Sequence, residues 1–220
     1  MKTNQLLKAG ALLLLLVLPA LAFLFLRGFG ENEFALPILN PESGECAPNK
    51  VDDIHRIPPF SFINQDGQPF SDKELAGKIY VTDFFFTRCP DICLTMSSEL
   101  ARVHEAMKNY PEVVILSHTV DPAFDSAQVL KAYAQRYGAD TKRWIFVTGD
   151  KNAIYEQARC GYYIAAKPAT SDTELDFIHS DKLVLVDKEK RIRGYYSGTR
   201  REDVDRLITE IQVLLAEYKK

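Results

Sequence analysis

Two cysteines separated by three residues, Cys89 and Cys93, are the residues of this sequence best suited to chemistry. They follow an apolar run, Ile79 to Phe86, which is typical of a buried strand. A proline between them is tolerated in a first helical turn, so the pattern predicts a helix beginning within residues 89–91 and continuing to Tyr110. A helix N-terminus lowers the pKa of a thiol, and residues four apart share one helical face. Two such sulfurs can bind one metal ion or form one disulfide, and the alternative is two unreactive core residues.

A third soft or borderline ligand would decide between metal binding and redox exchange, and His179 is the best candidate. It follows residues 162–178, which have no clear periodicity and predict a mobile loop, and it precedes an apolar strand. Two thiolates and one imidazole suit copper, because three ligands match Cu(I) and a further ligand completes Cu(II). The alternative for His179 is an exposed loop histidine. Structural roles are predicted for the other three histidines, His104, His118 and His55. His55 is also a spare ligand.

Charge and cysteine content exclude several classes of function. The net charge is −3 and the basic residues are dispersed, so no nucleic-acid partner is expected. Four cysteines are too few for a disulfide-built scaffold, and they do not form the two C-x-x-C pairs of a structural zinc site. Cys46 and Cys160 lie outside the motif and could pair in an oxidising compartment, but a free Cys46 and a core Cys160 are the predicted state.

The chain divides into three predicted regions. Residues 1–30 carry Lys2 and Lys8 before a long uncharged run, which predicts a single-pass signal anchor with the rest of the chain on the extracytoplasmic (periplasmic) side of the cell membrane. A cleaved signal peptide is the alternative, because a small-residue cleavage pattern occurs within that run. Residues 31–57 are rich in proline and predict an extended linker, and residues 58–220 form the domain.

Within the domain, apolar strands alternate with helical patterns, which predicts an α/β fold with a central sheet flanked by helices. Three helix-start signals are expected, from Asp125 with Gln128, from Asp150, and from Thr199 with Glu202. After the run at 79–86, the strands are expected at Val113–Val120 and Trp144–Thr148, followed by a hairpin of Lys182–Val186 and Arg191–Tyr196.

The segment from Phe86 to Cys93, the Val120-Asp121-Pro122 turn and the strand after His179 together resemble the Sco/SenC family of membrane-anchored copper-binding proteins. The resemblance implies a thioredoxin-like fold for the domain. It also implies that Cys89, Cys93 and His179 bind copper and pass it to the dinuclear copper site of cytochrome c oxidase. The chain departs from the family pattern in three places: Leu94 stands in place of proline, Ser126 in place of a Thr-Pro pair, and the loop at residues 163–178 is unremarkable. The departure at Leu94 bears on helix entry and sulfur reactivity, and none of the three removes a ligand.

Two functional hypotheses follow. The first is a copper chaperone that delivers Cu(I) or Cu(II) to the copper-site subunit of cytochrome c oxidase. The alternative is a membrane-anchored thiol-disulfide oxidoreductase in which Cys89 and Cys93 form the redox disulfide, maintain the cysteines of that copper site and are themselves served by a thiol reductase. Two acids, Asp83 and Asp121, are accessory candidates as a fourth oxygen ligand or a proton acceptor, with helix capping or a turn contact as the alternative.

Overall fold

A computed structural model of the chain describes residues 2–29, 35–40, 46, 54–164 and 180–219. These residues divide into two compact units, Met1–Ala35 and Leu36–Lys220. The first unit contains helix α1, Lys2–Phe29. In the described part of the chain no helix has both the length and the apolar character of a bilayer span, so the predicted transmembrane anchor is not supported.

The described residues of the second unit form seven strands and four α-helices. The strands are β1 Ser61–Asn64, β2 Pro69–Ser71, β3 Ile79–Phe85, β4 Val113–Thr119, β5 Trp144–Thr148, β6 Lys182–Val186 and β7 Ile192–Ser197. The helices are α2 Ile92–Ala106, α3 Ala127–Arg136, α4 Lys151–Glu156 and α5 Arg201–Glu217. A 3-10 turn, Asp72–Leu75, precedes β3, and a π turn, Gln157–Gly161, follows α4.

All seven strands belong to one mixed sheet in the order β2-β1-β5-β4-β3-β6-β7. The three central strands β3, β4 and β5 are parallel, and the strands outside them pair antiparallel. Every residue of the central strands is buried, because helices or loops cover both faces of the sheet. The predicted α/β fold is therefore confirmed. Because the central strands are parallel, the loops after β3 and β4 lie beside each other at the edge of the sheet that is formed by the carboxyl ends of these strands.

The predicted helix starts have mixed outcomes. Asp150 caps α4, and its carboxylate accepts a hydrogen bond from the Ala153 amide at 2.9 Å. Helix α3 begins where Asp125 with Gln128 predicts a start, but its N-cap residue is Ser126 and not Asp125. Helix α5 likewise begins where Thr199 with Glu202 predicts a start, but Thr199 is not its N-cap residue. Arg200 holds the N-cap position of α5 without a side-chain bond, and the Thr199 hydroxyl donates to Asp181 at 3.1 Å.

Parts of the predicted linker contact the second unit. The Arg193 guanidinium donates to the carbonyls of Leu36 and Pro37 at 2.6 and 3.1 Å, and Leu39 forms an isolated bridge with Ile192. The Ile57 amide donates to the Lys190 carbonyl at 2.8 Å. Residues 36–40 therefore do not extend away from the unit, and the region boundaries at 30 and 57 stay predictions.

The outer cysteines are paired. Cys46 and Cys160 form a disulfide with a Cα–Cα distance of 5.2 Å across a sequence separation of 114 residues. The prediction of a free Cys46 and an unpaired core Cys160 is therefore wrong. Local pattern could not reveal the pairing, because it depends on how the chain before β1 crosses the end of α4.

Candidate functional site

The two motif cysteines lie where β3 gives way to α2. Cys89 belongs to the connecting loop, and Cys93 is the second residue of α2, which begins at Ile92 and ends at Ala106. The observed helix therefore begins one residue after the predicted range of residues 89–91, and it ends four residues before Tyr110. The Cys89 amide donates to the Phe86 carbonyl at 3.2 Å, and the Cys93 amide donates to Cys89 Sγ at 3.4 Å. The turn of the loop, and not a shared helical face, brings the cysteines together.

Both motif cysteines are free thiols and both are buried, with exposed fractions of 6% for Cys89 and 3% for Cys93. Burial raises the pKa of the Cys93 thiol well above its ordinary value, and the neighbouring Cys89 shifts that pKa in the same direction. The expectation that the helix N-terminus lowers the pKa is wrong for Cys93, because the cost of burying a thiolate exceeds the gain from the helix end. The structure describes the dithiol form of this pair.

A buried carboxylate that the sequence analysis did not assign to the site holds in place the cysteine loop, residues 86–91 between β3 and α2. Asp125 is fully buried and accepts hydrogen bonds from the Thr87 amide at 3.0 Å and from the hydroxyls of Thr87 and Thr119. Thr87 lies two residues before Cys89, and Thr119 is the last residue of β4. The helix-start pattern concealed this role. The signal available was topological, because an acid after β4 lies at the sheet edge where β3 ends.

Asp121, one of the accessory candidates, is bound by the cysteine loop. The Arg88 guanidinium donates to Asp121 Oδ2 at 2.6 Å and lies 4.1 Å from the centre of the Phe124 ring. The Asp121 amide donates to Thr119 Oγ1 at 3.0 Å. Asp121 therefore anchors Arg88 and caps the end of β4, and this oxygen is already engaged.

Asp83, the other accessory candidate, lies in the interior, with 1% of its surface exposed. It accepts a hydrogen bond from Ser117 Oγ at 2.5 Å, and Ser117 Oγ in turn accepts one from Trp144 Nε1 at 3.0 Å. Burial raises the pKa of Asp83 to about 7. Asp83 also contributes electrostatically to the raised pKa of Cys93, so the two groups influence each other.

His179 and most of the predicted 162–178 loop lie outside the described residues. Strand β6, which begins three residues after His179, pairs antiparallel with β3 through Thr82 and Val184. This register brings the start of β6 to the sheet edge at which β3 enters the cysteine loop. Among the described residues, no group of three histidines, cysteines or acids is placed to hold a metal ion.

Each of the other three histidines has structural contacts. His118 stacks on Phe84 at 4.7 Å, its Nδ1 lies 3.1 Å from Thr82 Oγ1, and burial lowers its pKa to about 3. His104 Nε2 accepts a hydrogen bond from the Asp140 amide at 3.2 Å. His55, the spare ligand, donates from Nε2 to the Gly161 carbonyl at 2.8 Å.

Comparisons with known proteins agree with this architecture. The SCO1/SenC family model matches residues 49–216. The SCO1 protein homolog of Bacillus subtilis is 29% identical over 172 residues, which cover 76% of this chain and 88% of that protein.

Two solved structures can be compared in detail. The crystal structure of Arabidopsis thaliana ScoI with copper bound is 28% identical, with a TM-score of 0.60, and covers 74% of this chain and 100% of that one. BsSco, a member of the Sco family of cytochrome c oxidase assembly proteins in which a disulfide switch was identified, is also 28% identical. Its TM-score is 0.62, and the match covers 72% of this chain and 92% of BsSco. The chain is thus similar to proteins of one family over most of its length.

Proposed function

Because the chain belongs to the SCO1/SenC family, we propose that it binds copper through Cys89, Cys93 and His179 and delivers the ion to the copper site of cytochrome c oxidase during assembly. The observation that carries this proposal is the pair of free, buried thiols, in which the Cys93 amide lies 3.4 Å from Cys89 Sγ. The buried pair presents two soft ligands in a site largely closed to water, which suits Cu(I).

The raised pKa of Cys93 determines how the site takes up its cargo. At neutral pH the free protein carries a protonated Cys93, and a bound metal ion displaces that proton because a coordinating thiol is deprotonated. Copper uptake therefore releases the Cys93 proton, and the apparent affinity increases with pH. Release to a recipient is favoured when Cys93 regains its proton.

The third proposed ligand is supported by topology. His179 precedes β6, and the pairing of Thr82 with Val184 brings the chain that follows His179 to the edge of the sheet beside the cysteine loop. Both accessory acids are engaged, Asp121 by Arg88 and Asp83 by Ser117. We therefore restrict the proposed ligand set to two sulfurs and one nitrogen.

A titration of the full-length reduced protein tests the proposal. Copper(II) bound to both thiolates should produce sulfur-to-copper charge-transfer absorption, and Cu(I) should be retained against a chromophoric competitor. Cys89→Ala, Cys93→Ala and His179→Ala should each lose the absorption band and weaken Cu(I) retention. His55→Ala is the matched control, because His55 is a histidine engaged elsewhere, and this variant should bind like the wild type. Equal binding by His179→Ala and His55→Ala would contradict the assignment of the third ligand.

The second candidate function is thiol-disulfide exchange that keeps the cysteines of the oxidase copper site reduced. The two neighbouring free thiols favour this function, since oxidation can join them in a disulfide without moving distant parts of the chain. The raised pKa of Cys93 opposes it, because the thiolate is the attacking species. If His179→Ala supports oxidase assembly as well as the wild type while Cys89→Ala does not, exchange is favoured over copper delivery.

We place the domain on the extracytoplasmic side of the cell membrane, as the sequence leads us to expect. The Cys46–Cys160 disulfide supports this location, because such bonds persist in oxidising compartments and are rare in the reducing cytosol. Its expected partners there are the copper-site subunit of the oxidase and a thiol reductase. Labelling of exposed lysines such as Lys108 in intact cells with a membrane-impermeant, amine-specific reagent tests the location. Labelling only after lysis would contradict it.

A further inference from the structure

The Cys46–Cys160 disulfide lies beside a surface cleft. The cleft has a volume of about 740 Å³, and its lining includes both cysteines together with His55, Arg56, Pro59 and Glu156. Both cysteines are partly exposed, whereas Cys89 and Cys93 are buried. Of the two cysteine pairs, this disulfide is therefore the one more exposed to a molecule from solution.

The chemistry of the cleft wall favours attack on the disulfide. Arg56 is exposed on the cleft wall, its guanidinium donates to the Glu189 carbonyl, and its fixed positive charge attracts an approaching thiolate. Glu156 is also exposed on the wall and opposes this effect in part. The apolar side of the cleft includes Pro58, Pro59 and Phe60, which offer a surface to the carbon skeleton of a reductant.

The backbone around Cys160 is irregular in a way that suits a reactive position. Cys160 lies in the π turn Gln157–Gly161, and turns of this type are frequent at functional sites. Noncovalent contacts join the same two chain segments beside the disulfide. The His55 ring donates to the Gly161 carbonyl at 2.8 Å. The Tyr163 hydroxyl lies 3.4 Å from the Cys46 carbonyl and 3.2 Å from His55 Nδ1. These contacts keep the segments together when the disulfide opens, so reduction can be local and reversible.

We propose that Cys46–Cys160 is a second thiol-disulfide exchange site, which a dithiol reductant opens through the cleft. One thiolate of the dithiol attacks Sγ of Cys46 or Cys160, the protein S–S bond breaks, and the departing thiolate takes a proton from water. The second thiol of the dithiol then attacks the mixed disulfide and releases the other protein thiol. The protein disulfide gains two electrons and two protons, and the dithiol becomes a disulfide. The proposed exchange step uses none of the proposed copper ligands.

The kinetic order of reduction tests the proposal. The full-length protein is incubated without denaturant at several dithiothreitol concentrations, quenched by alkylation and mapped by mass spectrometry to identify which cysteines are labelled. The rate at which Cys46 and Cys160 become labelled should rise in proportion to dithiothreitol concentration and should exceed the global unfolding rate measured by a urea jump. A rate that is independent of dithiothreitol and equal to the unfolding rate would overturn the proposal, because the disulfide would then react only in unfolded chains.

Two charge variants test the route through the cleft. Arg56→Gln removes the cation from the wall and should lower the second-order rate constant by about threefold. Lys73→Gln is the matched control, since it removes an exposed cation that does not line the cleft, and it should leave the rate constant unchanged. Equal rate constants in the two variants would overturn the cleft as the path of attack.

Discussion

The Asp125 carboxylate is the tether between the cysteine loop and the turn after β4, and one substitution removes it. Asp125 accepts bonds from the Thr87 amide and from the hydroxyls of Thr87 and Thr119, and it is fully buried. Hydrogen bonds to a charged acceptor contribute about 1.5–3 kcal/mol each, and three bonds that share one carboxylate do not add fully. We expect Asp125→Ala to lower the free energy of unfolding by about 4 kcal/mol.

Urea denaturation followed by circular dichroism measures this loss. At roughly 2–4 °C per kcal/mol for a domain of this size, the melting temperature should fall by about 8–16 °C. Asp125→Asn keeps one oxygen acceptor and should lose about half as much stability. Release of the tether should also accelerate alkylation of Cys89 and Cys93 under native conditions, since Thr87 lies two residues before Cys89.

Asp150→Ala is the control for this prediction, because it removes an acid that makes one exposed helix-cap bond to the Ala153 amide. It should lower stability by about 1 kcal/mol and leave the alkylation rates unchanged. If Asp125→Ala lowers the free energy of unfolding no more than Asp150→Ala does, Asp125 does not hold the cysteine loop in place.

Two further perturbations concern buried charges. The pKa of Asp83 is raised from 3.8 to about 7, so the folded state holds a proton that the unfolded chain releases, and this group makes stability fall by about 4 kcal/mol as pH rises through that range. Asp83→Asn should remove this fall in stability and expose the opposite trend of His118, whose pKa is lowered from 6.5 to about 3, so that the stability of the variant rises with pH between those values. Urea titrations at pH values from 3 to 8 measure the two pH profiles. Parallel profiles for the variant and the wild type would contradict the prediction. Arg193→Lys should lose about 3 kcal/mol, because a lysine cannot keep the Asp187 ion pair at 3.1 Å together with the carbonyl bonds of the buried guanidinium. The exposed Arg206→Lys, measured by the same denaturation, should lose less than about 1 kcal/mol, and equal losses would refute a special role for Arg193.

The central strands could be predicted from the sequence because they are buried on both faces. Trp144–Thr148 forms a strand with the predicted bounds, and the predictions for β3 and β4 each extend one residue too far. A continuous apolar run is sufficient evidence for such strands, since no amphipathic pattern is needed. The order of strands in the sheet was not predicted, because pairing depends on contacts between distant segments.

Features that depend on tertiary contacts were predicted less well. Asp125 has a helix-start pattern, but the stronger bonds to Thr87 and Thr119 take its carboxylate away from the helix. The position of Cys93 at a helix N-terminus predicts a lowered pKa, and burial raises that pKa instead. In both cases a local rule gave way to tertiary structure, through hydrogen bonds to distant residues for Asp125 and through burial for Cys93, and the sequence around the residue reports neither.

The proposed copper site is defined by the atoms that surround the bound metal. X-ray absorption at the copper edge counts the sulfur and nitrogen neighbours of the metal directly, in the full-length protein loaded with one equivalent of Cu(I). We expect two sulfur neighbours and one nitrogen neighbour in the wild type, with loss of the nitrogen in His179→Ala and its retention in His55→Ala. A spectrum with fewer than two sulfur neighbours, or one that His179→Ala leaves unchanged, would contradict the proposed copper site.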